Sequence, residues 1–143
     1  MNKLKKGAAL LLAFALIFAL AACGAEEEPA DELWADAKYA SDTELGEGAS
    51  TITVEVTAGE KTVSFTVHTD ADNLRDALEP LGLIAGEESE FGLFLNSVNG
   101  IGADYDADGF YWALYIGGEY ASTGVDSTAV ADGGEYALVR EAA

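Results

Sequence analysis

The chain has 143 residues, with 26 acidic residues against 7 Lys plus Arg and a formal net charge of −19. Every acid lies after residue 22, where 26 acids face only 4 bases, so phosphate backbones and anionic lipid headgroups are repelled and a nucleic-acid partner is excluded. The length allows one domain with one core, and the single Cys excludes an intrachain disulfide and a zinc site built on thiolates alone.

Residues 1–6 (MNKLKK) form a basic start, and Gly7 to Ala22 is an unbroken apolar run. Sixteen residues fall short of the roughly 20 that span a bilayer, and the run ends in small residues, as a signal peptide does. Leu20-Ala21-Ala22-Cys23 resembles the lipobox of bacterial lipoproteins, which implies lipidation at Cys23. Two acyl chains would then anchor the mature chain to the cell membrane on its extracytoplasmic face. An ordinary secretory signal, with Cys23 incidental, is the alternative.

Residues 24–32 (GAEEEPADE) read as an acidic, disordered spacer. Residues 33–39 alternate Leu33, Ala35, Ala37 and Tyr39 against Trp34, Asp36 and Lys38, which allows an edge strand, and 41–50 is a Gly- and acid-rich connection. The domain proper is expected over 51–143. TITVEVT (51–57) and TVSFTVH (62–68) alternate apolar and polar residues around a hairpin loop at 58–61. Leu74, Ala77, Leu78 and Leu81 then shift the period to that of a helix, expected from about Asp70 to Glu79 and ended by Pro80 and Gly82. An acidic loop (86–90) leads to a strand at 91–98, followed by the Asn99-Gly100 turn. FYWALYI (110–116) is apolar on both faces, Gly117-Gly118 turns the chain, and EYALVR (135–140) is the last strand. This order predicts an α+β fold, a mainly antiparallel sheet crossed by one helix.

Two patterns could carry chemistry. Asp104, Asp106, Asp108 and Gly109 read D-x-D-x-D-G, the opening of a calcium loop, although the twelfth position is Tyr115 rather than a bidentate Glu. A weak Ca2+ site and a plain acidic turn are both open. The aromatic set Phe110, Tyr111, Trp112, Tyr115, Tyr120 and Tyr136 suits either a planar ligand or a core. His68 is the only histidine, and no nucleophile elbow, zinc motif, phosphate loop or dinucleotide fingerprint accompanies it, so no enzyme is expected.

The segment SVNGIGADYDADGFYWALYIGGEYASTGVD (97–126), with ADGGEYALV (131–139), resembles the transcobalamin-like C-terminal domain, domain of unknown function 4430. The resemblance runs from about Thr51 to Glu141 and is most specific over Trp112 to Gly124. It departs from the family in having Gly117-Gly118 at the hairpin tip and Pro80 at the helix end. It implies a β-grasp fold and a soluble-ligand-binding module, with cobalamin or a related corrinoid as the ligand class and no cofactor required. The contacts it implies are Ser97, Val98, Asn99, Tyr111, Trp112, Tyr115, Tyr120, Ser122 and Thr123. A monomer that passes its ligand to a membrane transporter component is the expectation, and a cell-surface interaction or adhesion module without a small ligand is the alternative.

Overall fold

Alternation in two neighbouring segments sets the frame of the molecule. Ile52, Val54, Val56 and Ala58 are fully buried on one side of a strand, and Val63, Phe65 and Val67 match them on the next. A computed structural model describes residues 30–142. The signal segment, Cys23 and the spacer up to Pro29 lie outside the described residues. In chain order the elements are helix α1 (Ala30–Leu33), a 3-10 turn (Trp34–Asp36), strands β1 (Thr43–Gly46), β2 (Ser50–Ala58) and β3 (Lys61–Thr69), then helix α2 (Leu74–Leu78). Strands β4 (Ile84–Ser89), β5 (Gly92–Val98) and β6 (Ile101–Gly102) follow, then helix α3 (Tyr105–Asp108) and strands β7 (Phe110–Ile116) and β8 (Glu119–Tyr120). A 3-10 turn (Val125–Ser127) and β9 (Glu135–Ala142) complete the described chain. No helix among the described residues is long and apolar enough to cross a membrane.

The strands form two sheets. The larger has the order β1-β3-β2-β9-β7-β8, and β4-β5-β6 form a smaller antiparallel one. The large sheet is mixed: β1 runs parallel to β3, and β2 runs parallel to β9, with the remaining neighbours antiparallel. One face carries the core, where Leu74, Leu78, Leu83, Val98 and Ile101 pack over the buried side chains of β2, β3, β7 and β9. The opposite face carries the polar and aromatic half of each alternation.

Three expectations are corrected. Residues 33–36 are helical rather than an edge strand: Leu33 and Trp34 are adjacent yet both buried, which a helical turn permits and a strand with period two does not. The Trp34 indole N–H donates to Ala58 O at 3.0 Å, and Lys61 lies 4.8 Å from its ring centroid. The stretches expected as connections at 41–50 and 86–90 hold β1 and most of β4. The helix is shorter than the expected span from about Asp70 to Glu79, because Asn73 caps it, its side chain accepting from Asp76 N at 2.8 Å.

β4 is exposed beyond Ile84, so little apolar burial holds it. Its antiparallel ladder with β5 holds it instead, and an electrostatic clamp adds to that. Arg75 on α2 pairs with Glu79, with Glu88 on β4, and with Asp126 at 2.8 Å. Asp126 also accepts from Leu93 N at 2.5 Å. Hydrogen bonds from Arg75 and then from the Leu93 amide hold the Asp126 carboxyl below its ordinary range. A carboxylate depressed in the folded state stabilises above its unfolded pKa of about 4, and that stability is lost as pH falls through the lower folded value. Thermal melts between about pH 5 and pH 2 should therefore fall less steeply for Asp126→Asn than for the native chain, and parallel curves would remove Asp126 from the acid response.

Candidate functional site

The β5–β6 hairpin and the segment after it build one wall of a cleft. Asn99 takes φ 52° and Gly100 φ 80°, the turn the sequence announces. Ala103 N returns to Asn96 O at 2.9 Å. Asp104 caps α3, accepting from Asp106 N at 3.0 Å and Ala107 N at 3.3 Å. Arg140 reaches across from β9 with its side chain only 8 % exposed. It donates to Gly102 O at 2.9 Å and Asp108 Oδ2 at 3.0 Å, and its guanidinium lies 4.1 Å from the Phe110 ring centroid. Glu32, Leu33 and Asp36 also line it.

The cleft is open to solvent and has a volume of about 690 Å³, within the range of small-molecule sites. Its charge is lopsided: Glu32, Asp36, Glu87, Asp104, Asp106 and Asp108 line it against Arg140 alone, with Phe94 and Tyr105 offering exposed aromatic surface. Such walls accept hydrogen bonds and favour positive charge; they repel phosphate.

The structure divides the residues singled out in the sequence among separate surroundings. Val98 and Asn99 are fully buried. The Asn99 side chain accepts from Tyr39 N at 2.9 Å and donates to Tyr39 O at 2.8 Å, tying together positions 60 residues apart. Ser97 is half-buried on β5, opposite Gly102 and Ala85. Trp112 is buried on the core face, donating from its indole N–H to Ile101 O at 3.1 Å. Tyr111 and Tyr115 point from the other face of β7, where both phenols donate to Glu141, and Tyr120 beside them is exposed. Hydrogen bonding to Tyr120, then burial and Glu141, push the Tyr111 phenol up to about 12, and Glu141 raises Tyr115. Ser122 is exposed, and Thr123 meets Thr128 at 3.2 Å between hydroxyl oxygens. Tyr111, Trp112, Tyr120 and Thr123 share a smaller groove of about 190 Å³ along β7.

The three aspartates of the calcium-like loop do not converge. Asp104 is turned into its own backbone, and Asp108 accepts from Asp104 N and Phe110 N and pairs with Arg140. Among the described residues no group of three or more His, Cys, Asp or Glu side chains is placed to hold a metal ion. His68 lies between the Thr51 hydroxyl at 3.0 Å and Glu44 at 2.9 Å, on the face away from the core. Sequence reasoning missed Arg140, Phe94 and Tyr105. Arg140 had a usable signal, as one of only four bases after residue 22; the two aromatics had none, because exposure is not written in residue type.

Comparison with known proteins adds three findings. The family model described as domain of unknown function (DUF4430) matches residues 71–135. A crystal structure from Ruminococcus gnavus, named as a candidate metal binding protein, is 35% identical with a TM-score of 0.63, over 66% of this chain and 99% of that one. Haptocorrin in complex with Cbi matches with a TM-score of 0.56 at 22% identity, over 65% of this chain and 25% of that one, a likeness of fold alone. No curated protein matches the chain.

Proposed function

We propose that this chain, whose residues 71–135 match the family described as domain of unknown function (DUF4430), is a ligand-binding module held outside the cytoplasm by a lipid on Cys23. The observation that carries this reading is the cleft of about 690 Å³ walled by the β5–β6 hairpin, α3, Arg140 and the N-terminal turn. Its ligand class is corrinoid-like. The peripheral amides of a corrinoid donate hydrogen bonds, and the cleft presents carboxylate acceptors beside two aromatic rings. Haptocorrin's complex with Cbi supports the same class. The fold is read as a β-grasp variant, supported by a β2–β3 hairpin, a following helix and a last strand parallel to β2. The role is that of a carrier, not an enzyme, with a membrane transporter component as recipient.

Residues 24–143, without the anchor, should bind cobinamide saturably when titrated calorimetrically. Asp106→Asn and Tyr105→Ala are exposed changes that should each weaken it by roughly fivefold, about 1 kcal/mol. Heat without saturation, or no heat, overturns the corrinoid reading in favour of a protein-interaction module. Millimolar calcium should leave the melting temperature unchanged, because the Asp104 and Asp108 carboxylates are already engaged within the protein.

A further inference from the structure

The face of the large sheet turned away from the core holds a second arrangement, whose adjoining groove meets the cleft at Phe94. Register places Tyr111 opposite Glu141, and Tyr115 opposite Tyr120 on β8. The Tyr115 and Tyr120 rings stand at 89° with centroids 5.5 Å apart, forming two walls of a corner. Both remaining features converge there: Tyr115 donates to Glu141 Oε1 at 2.6 Å and Tyr111 to Oε2 at 3.3 Å. Glu141 belongs to no ion pair among the described residues, so a half-buried negative charge sits behind aromatic rings without a cation of its own. A phenol that donates to a carboxylate gains electron density, which deepens the negative potential over its ring face. Tyr120 is 61% exposed, leaving its ring accessible, and the adjoining groove of about 190 Å³ is lined by Tyr111, Tyr120, Leu93 and Phe94.

We propose that this tyrosine–carboxylate corner binds a small soluble quaternary ammonium compound. The ammonium head of such a cation is large, weakly hydrated and unable to donate hydrogen bonds, so aromatic faces and one carboxylate suit it better than the carboxylate-lined cleft. The strongly negative chain raises its local concentration.

The test titrates residues 24–143 with choline chloride and, in parallel, with the uncharged tert-butyl isostere of choline, following the Tyr120 and Tyr115 ring resonances by NMR. Choline should saturate, and the isostere should bind at least about tenfold more weakly. Tyr120→Ala and Glu141→Gln should each weaken choline binding by roughly fivefold, whereas Tyr120→Phe, which keeps the ring, should retain it. Melting curves confirm that each variant folds, and cobinamide binding at the cleft should be untouched by all three. Equal binding of the isostere, or unchanged affinity in Tyr120→Ala, overturns the proposal. Retention on phosphatidylcholine vesicles without saturation by free choline also overturns it, in favour of a lipid surface.

Discussion

Trp112→Ala is expected to cost about 4 kcal/mol, enough to unfold much of a domain whose whole stability is on the order of 5–15 kcal/mol. The residue lies in the specific part of the family resemblance and looks, in sequence, like a ligand contact. In the structure it is 7% exposed, packed on the core face of β7, with its indole N–H spent on Ile101 O. Truncation therefore opens a cavity under the β5–β6 hairpin and leaves a buried carbonyl without a donor. Trp112→Phe keeps most of the volume and should cost about 1–2 kcal/mol, chiefly the hydrogen bond. Urea titration followed by the fluorescence of Trp34, the one remaining tryptophan, reads both. A native midpoint for Trp112→Ala would move the residue back to the surface.

The second large effect is at Asn99. Its backbone N–H donates to Leu83 O at 2.7 Å, its carbonyl accepts from Lys38 N at 2.8 Å, and its side chain satisfies both polar groups of Tyr39. One fully buried residue thus fastens the N-terminal segment to the turn before β6. Replacement by Ala removes the side-chain bonds and places a Cβ residue without a compensating contact at φ 52°, for a total of about 3 kcal/mol. Asn99→Gly relieves the backbone strain and isolates the hydrogen-bond loss, so it should be the milder of the two. If Gly proves as damaging as Ala, the left-handed backbone contributes nothing. Gly100 beside it cannot substitute freely either, since a Cβ there would lie 2.5 Å from Asp36 O.

β2, β3 and β9 were legible because each buries one face and solvates or lines the other, which writes period two into the sequence, and β7 because it is an unbroken apolar run between turn residues. Even the division of β7 was implicit: Tyr111 and Tyr115 are in phase with each other and out of phase with Trp112 and Leu114. β4 was not legible, because a strand exposed beyond its first residue and held by its ladder with β5 and by Arg75 has no apolar alternation to show. β1 is four residues long and half polar. The Asn99-Gly100 turn was plain, yet the reach of the Asn99 side chain to Tyr39 is a contact between distant segments that no local pattern encodes. The cleft was hidden for the same reason: its walls come from residues near 32, 100, 106 and 140, which only the tertiary fold brings together. The aspartate loop was misleading because an Asp at a helix start and an Asp beside an arginine have local uses that compete with a cation.

The position of β9 also governs when the molecule can form. Strand β9 lies between β2 and β7, near the centre of the large sheet, and its parallel partnership with β2 joins Thr53 to Glu135. Until β9 is in place, β1-β3-β2 and β7-β8 are two half-sheets with no means of joining. Closure of the large sheet thus waits on a strand distant in sequence from β2, so the two halves stay apart until β9 pairs on both of its edges.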